Sequence, residues 1–349
     1  MPEWRKDPVV DRWVVIASER GKRPSDYKVA PDLPRGGRCP LCPGHEQDTP
    51  PEVLAFRDSG AGSNQPGWWV RVVPNKFPAV RIEGDFDCRQ DGVYKQMNGL
   101  GAHEVVVEST GHHRGLEEQP ARQVEEVIWA WRQRSLDLRR DSRFKYIQIF
   151  KNFGQVGGAS LEHPHSQILA LPVIPADVQG ELAGAQACWR EHGGCVYCSI
   201  LRQEVSAGRR MVVENEHFIS FVPFAARFPF EMCILPREHQ WDFGSIREEQ
   251  VADLAQIIRH SLGKLNNIFG RPPYNLYLHT APVNSGHYEE YHWHVEILPR
   301  LTILAGFELA TGYVINPTPP EMAAAELRDA AVSRQEEARY SNQEVAQYV

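Results

Sequence analysis

Apolar positions along the chain follow two rhythms. β-Branched runs with strand-like alternation occur at Trp69-Val70-Arg71-Val72-Val73 and Val105-Val106-Val107, and predict strands. Helical spacing takes over at Val251, Leu254, Ile258, Leu262 and Leu265, and starts in the same way at Val124, Val127, Ile128 and Trp131. Ser245, with Glu248 three residues on, reads as a capping box opening the later helix. Both stripes are core faces. Pro320 opens an Ala/Glu-rich helix, and the polar last fifteen residues are expected to fray. Strands followed by a helix, twice over, predict a mixed α+β fold.

The pattern is also a repeat. The first half runs Cys39-Pro-Leu-Cys42, His103-Glu104 to His112, Tyr146-Ile-Gln-Ile-Phe150 and His163-Pro164-His165. The second runs Cys195-Val-Tyr-Cys198, Phe230-Glu231 to His239, Tyr274-Asn-Leu-Tyr-Leu278 and His292-Trp-His294. Internal spacings agree, nine residues in both halves for the second feature, and 17 against 18 between the third and fourth. Four features in one order at matched distances indicate a duplicated unit. Its boundary lies near 172–185, where LPVIPADVQG breaks the strand pattern. This divides the chain into repeats 1–175 and 176–349.

Composition narrows the function. In 349 residues, 42% are hydrophobic and 24% charged, an ordinary globular balance. A formal net charge of −7 argues against a general nucleic-acid binder. A charged N-terminus and the lack of any run near 18 apolar residues predict no secretion signal and no membrane span, so the cytoplasm is expected. Of seven cysteines, four form the two C-x-x-C pairs, while Cys88, Cys188 and Cys233 read as ordinary thiols.

Metal chemistry follows from the repeat. A tetrahedral site commonly takes Cys-x-x-Cys and two histidines. Cys39 and Cys42 then pair with His112 and His163, as Cys195 and Cys198 do with His239 and His292. A redox C-x-x-C predicts neither the histidines nor the duplication. Both sets are closed, so zinc in them is structural. With His163 on a metal, His165 stays free as a nucleophile. A strand through Gly157-Gly158-Ala159-Ser160 to Gln167 places His163, His165 and Gln167 on one face. Pro164 suggests an edge or bulged strand, and the glycines let backbone amides approach a phosphate.

These motifs resemble the galactose-1-phosphate uridylyltransferase family of the histidine-triad superfamily. The resemblance is carried by Arg20-Gly-Lys-Arg23-Pro, Pro74-Asn75-Lys76-Phe77-Pro78, Phe150-Lys-Asn152, Gly158-Ala-Ser160, His163-Pro-His165-Ser-Gln167, Phe228-Pro-Phe-Glu231 and Tyr291-His-Trp-His294. It covers roughly residues 4–330 and implies a homodimer of two histidine-triad-like repeats, each an antiparallel sheet flanked by helices. It implies a catalytic N-terminal and a non-catalytic C-terminal repeat, zinc, and ping-pong transfer of UMP from UDP-glucose through His165 to galactose 1-phosphate. Ser160 and Gln167 would contact the transferred phosphoryl group. Asn75, Lys76, Asn152, Gly158 and Ala159 would contact the nucleotide, and Arg20 and Arg23 the diphosphate. Phe307-Glu308 match an aromatic–acid pair at the hexose, but Val314 stands where a glutamine is expected. Thr311-Gly312-x-x-Ile315-Asn316-Pro317 is closer to the ADP-glucose phosphorylase branch, whose substrates are ADP-glucose and phosphate. The neutral amide of Gln167 favours transfer over hydrolysis, since it offers water little acid–base help. Glu296 at the matching place, bulky Tyr291 and the missing Gly-Ala-Ser approach make the second copy non-catalytic. A zinc-ribbon interaction module without catalysis is the alternative of another class, and the His-Pro-His strand argues against it.

Overall fold

In a computed structural model, residues 1–22, 36–112 and 114–330 are described. Arg23 and the last fifteen residues lie outside them. Strands are β1 (Glu3–Lys6), β2 (Trp13–Ile16), β3 (Leu54–Arg57), β4 (Trp68–Pro74), β5 (Cys88–Asp91), β6 (Tyr94–Met97), β7 (Ala102–Val107), β8 (Tyr146–Phe153) and β9 (His165–Leu171). They continue as β10 (Met211–Glu214), β11 (Phe218–Phe221), β12 (Met232–Pro236), β13 (Tyr274–His279), β14 (His294–Pro299) and β15 (Val314–Asn316). Helices are α1 (Ala121–Leu138), α2 (Ala176–His192), α3 (Val196–Ala207), α4 (Glu248–Phe269), α5 (Gly306–Thr311) and α6 (Pro320–Asp329).

The two repeats build a single sheet. Ten antiparallel strands run in the order β10-β11-β12-β14-β13-β8-β9-β7-β4-β3, with β13 and β8 at the centre. Counting outward from that pair, each half shows the same arrangement, so β7, β8 and β9 answer to β12, β13 and β14. The α+β expectation therefore holds, and the duplication is spatial as well as sequential. A second sheet, β1-β2-β15, crosses the repeat boundary, because β15 adds in parallel to β2 near the N-terminus.

The predicted stripes are buried. Val124, Val127, Ile128 and Trp131 of α1 and Val251, Leu254, Ile258, Leu262 and Leu265 of α4 share one core with the inward residues of the sheet. α1 covers the first half, α4 the second, and the two pack against each other. α4 starts two residues later than Ser245 suggested, with Arg247 as its cap. The side chain of Gln250 accepts from the Arg247 amide at 3.0 Å, while the Ser245 hydroxyl donates to the Asp242 carbonyl in a preceding 3-10 turn. Asp242 organises that turn by accepting from Gly244 at 2.9 Å, which displaces the helix start.

Two expectations about the His-Pro-His strand are corrected. β9 is interior, flanked by β7 and β8, not an edge. It begins at His165, with Pro164 just outside it, so the missing N–H of proline costs the ladder nothing. The Pro164 carbonyl accepts from Glu108 at 3.1 Å. Within β9, Ser166, Ile168 and Ala170 face the core, and Trp131 donates its indole N–H to the Ser166 hydroxyl at 2.7 Å. His165, Gln167 and Leu169 share the opposite face. In the second half the residues on that face pack into a cluster with α2 and α3. In the first half it stays part-exposed at Gln167 and Leu169.

Candidate active site and metal centres

The first ligand set comes together as expected. One donor atom from each of Cys39, Cys42, His112 and His163 lies within 4.8 Å of the others. Cys42 Sγ is 3.1 Å from His112 Nδ1 and 3.6 Å from His163 Nδ1. Tetrahedral zinc bonds imply S···N edges of roughly 3.5 Å. The Cys39-Pro-Leu-Cys42 turn directs a backbone N–H, that of Leu41, at Cys39 Sγ at 3.4 Å. His163 is fully buried and donates from Nε2 to the Ser109 carbonyl at 2.8 Å, leaving Nδ1 toward the cysteines. Burial holds His163 neutral, with its pKa pulled down to about 4, and pushes the Cys42 thiol up to about 11 next to Cys39. Two cysteine sulfurs and two imidazole nitrogens this close are a donor set that a divalent cation would complete.

The second set, Cys195, Cys198, His239 and His292, has the same closeness. Cys198 Sγ lies 3.3 Å from His239 Nδ1 and 3.6 Å from His292 Nδ1. A hydrogen bond from Cys195 holds the Cys198 thiol well below its ordinary range and raises Cys195 in return. Both sets could hold a metal ion, and both leave no open position.

His165 sits at the start of β9, 6% exposed. Its Nδ1 donates to the His163 carbonyl at 2.8 Å, which leaves Nε2 unprotonated in the neutral ring. Burial lowers its pKa, and the Lys151 ammonium adds to that against the opposing hydrogen bond to His163. Lys151 was quoted in the sequence but given no role. It is buried, 2.6 Å from the equally buried Glu108, and donates to the His165 carbonyl at 3.3 Å.

The other residues expected at the site lie mostly on loops. Asn75 follows β4, with its amide on the His103 carbonyl at 2.7 Å. Lys76 is exposed, donating to the Asp48 carbonyl at 3.1 Å. Asn152 on β8 accepts from Asn275 of β13 at 2.8 Å, and the same Asn275 amide donates to the Gly157 carbonyl at 2.7 Å. Gly157 has no space for a side chain: a Cβ there would lie 2.2 Å from the Phe153 carbonyl oxygen. Gly158 has φ +87°, a backbone that favours glycine. The expectation of free amides is corrected here, since Gly158 and Ala159 donate to the carbonyls of Gln155 and Gly154, both at 3.0 Å. Ser160 is exposed at the end of this loop. Arg20 lies in a 3-10 turn after β2, outside the large sheet. Phe307 and Glu308 lie on the short α5, where Glu308 accepts from the Ala305 amide at 3.0 Å.

A further cluster was not visible in the sequence. Glu181 of α2, His279 of β13 and His294 of β14 bring donor atoms within 4.8 Å, all buried. His279 Nδ1 donates to Glu181 at 2.9 Å and Tyr291 donates its hydroxyl to the other oxygen at 2.6 Å. Burial opposes the charge on both groups, yet their mutual attraction holds His279 at about 9 and Glu181 at about 2. A cavity of about 160 Å³ opens on His294, lined by Glu181, Glu204, Glu231 and Glu296. Arg12 and Arg210 also line it but are ion-paired to Asp7 and Glu204. Where a glycine-containing loop precedes His165, His294 faces a carboxylate-rich cavity whose arginines are already ion-paired, a poor setting for a phosphate.

Comparison with known proteins agrees with this architecture. A family model described as galactose-1-phosphate uridyl transferase, N-terminal domain, matches residues 1–175, and the C-terminal domain of the same family matches 182–339. An ADP-glucose phosphorylase of Arabidopsis thaliana is 34% identical over 95% of this chain and 94% of its own length. A galactose-1-phosphate uridylyltransferase of Thermotoga maritima is 30% identical over 95% of this chain and 99% of its own. The crystal structure of an ADP-glucose phosphorylase from Arabidopsis thaliana with bound ADP-glucose superposes with a TM-score of 0.81, at 33% identity, over 95% of this chain and 100% of that one. With both halves matched by that family's models and the two Cys₂His₂ sets brought together, the chain belongs to the galactose-1-phosphate uridyl transferase family of nucleotidyltransferases.

Proposed function

We propose that the protein moves a nucleoside monophosphate from a nucleotide sugar to a phosphate-bearing acceptor through a covalent intermediate on His165. What supports this most is one observation: the ring has Nδ1–H committed to the His163 carbonyl and Nε2 free on the face it shares with Gln167. In the first step Nε2 bonds to the α-phosphorus while the P–O bond to the sugar phosphate breaks, and the leaving group takes the electron pair. In the second, an acceptor phosphate oxygen attacks and the N–P bond breaks. Ser160 and Gln167 stabilise the phosphoryl oxygens. Asn75, Lys76, Asn152, Gly158 and Ala159 hold the nucleotide, with the closed turn at Gly154–Ala159 shaping the wall. Zinc in the two Cys₂His₂ sets is structural and anchors His163 beside the nucleophile.

The roles divide between repeats 1–175, catalytic, and 176–349, not. The setting proposed is a cytoplasmic homodimer, in which Arg20 and Arg23 reach the diphosphate across the interface and Phe307 and Glu308 contact the hexose.

Two donors are in question. UDP-glucose, with galactose 1-phosphate as acceptor, is supported by the family and by the Thermotoga relative. ADP-glucose, with phosphate as acceptor, is favoured by the 34% identical phosphorylase and by Thr311-Gly312 to Ile315-Asn316-Pro317. Incubation with each donor and no acceptor, read by intact mass, tests both. An adduct of UMP or AMP mass, absent in His165→Ala, is expected and names the base. No adduct from either donor would refute the covalent reading.

A further inference from the structure

His103 stands on β7, where Val105 pairs with Gln167 of β9, so His103 is the diagonal neighbour of Gln167 on the same face. Its two ring nitrogens have fixed roles. The Ala79 backbone N–H points at Nδ1 from 3.1 Å, and a backbone amide can only donate, so Nδ1 is the acceptor. In the neutral ring the hydrogen is then on Nε2, which lies 2.8 Å from Gln167 Oε1. Asn75 Nδ2 is 3.2 Å from the same nitrogen. The Asn75 oxygen already accepts from the Phe77 amide at 2.9 Å, so that second contact is donor to donor and does not compete for the hydrogen.

A carboxamide has an oxygen on one side and an NH₂ on the other. With the oxygen held by His103, only the NH₂ remains available, and it makes no hydrogen bond to protein among the described residues. Oriented the other way, Gln167 would present an oxygen to phosphoryl oxygens and repel them. Resting on the His165 transfer reading, we infer that His103 is a positioning residue that locks the Gln167 carboxamide with its NH₂ as the donor to the phosphoryl group. The second repeat supports the pairing. There the ladder register puts Glu231 in the place of His103, one residue on from what sequence spacing gives, and Glu296 in the place of Gln167, and the Arg227 guanidinium bridges the two carboxylates at 2.9 and 2.6 Å. The two positions differ together in the copy that lacks the phosphate loop.

The test is a double-mutant cycle on the rate of adduct formation at saturating nucleotide sugar, using wild type, His103→Phe, Gln167→Ala and the double variant. Phenylalanine fills the ring space but cannot donate; His103→Ala runs alongside in case the larger ring disturbs the fold. The expected loss in His103→Phe is roughly 10–100-fold, no larger than in Gln167→Ala, with the apparent donor affinity changed less than about twofold. In the Gln167→Ala background the same change should add less than about twofold. His103→Gln, whose amide N–H can reach Gln167, should recover most of the rate. Multiplying losses, or full activity in His103→Phe, would overturn the inference while leaving His165 transfer intact. Wild type without any adduct would overturn both.

Discussion

At the scale of single residues, chemistry here is set by which hydrogen each ring and amide is left with. The His163 carbonyl takes one hydrogen of His165, and the Ser109 carbonyl takes one of His163, so neighbours two apart do different work. The repeat made the ligand set that includes His163 legible in the sequence, and left His165 beside it as the candidate nucleophile. His103, Lys151 and Glu181 were not, since their partners are 64, 43 and 98 residues away and strand register is not written in local pattern. Donation by Gln167 to charge that grows in the transition state should make Gln167→Ala slower by roughly 2.7–4 kcal/mol, about 10²–10³ in kcat. His294 faces carboxylates, so His294→Ala should stay within about one order of magnitude of wild type. Steady-state kinetics on both variants decides it, and equal losses would contradict the division of labour between the copies.

At the scale of elements, the helices α1 and α4 and the strands β4 and β7 were readable from periodicity, because their apolar faces bury in one core. Loops were less so. The glycine run before Ser160 closes its own amides into turns, and Pro164 ends a loop instead of marking an edge, outcomes fixed by tertiary pairing with β7 and β8. The first Cys₂His₂ set joins such loops to strands: Cys39 and Cys42 come from a turn before β3, His112 follows β7, and His163 precedes β9. Removing one ligand should therefore loosen the approach to His165. Cys39→Ser is expected to lose one of two zinc ions per chain and to lower the unfolding midpoint, because metal binding is coupled to folding. Elemental analysis with thermal unfolding checks this. Fewer than one metal per chain in intact wild-type protein would sink the paired-site reading.

At the scale of the whole molecule, the halves share a sheet, and β1 is tied to α6. Arg5 of β1 and Arg210 of β10 both bind Glu321 of α6, at 3.0 and 2.8 Å. Burial works against the charge, but the two guanidiniums hold the Glu321 carboxyl at about 2, below its ordinary value of 4.5. A depressed carboxyl contributes stability above its unfolded-state pKa and loses it as pH falls through the folded one. Glu321→Gln should thus cost about 1–3 kcal/mol at pH 7. The gap from wild type should shrink as pH drops from 4.5 toward about 2. Urea titrations at both ends of that window measure it, and a pH-independent gap would show that Glu321 acts by packing alone. No helix among the described residues is long and apolar enough to cross a membrane.

The central claim is that His165 carries the nucleotidyl group between donor and acceptor, and chemical competence of the intermediate tests it most directly. Enzyme charged with UDP-glucose or ADP-glucose would be freed of unbound nucleotide, then mixed with galactose 1-phosphate or inorganic phosphate in a quench-flow device. The account predicts that an acid-labile adduct mapped to His165 disappears as the new nucleotide product appears one for one, at least as fast as steady-state turnover. An adduct that persists, or that decays more slowly than turnover, would mean direct transfer and would contradict the account.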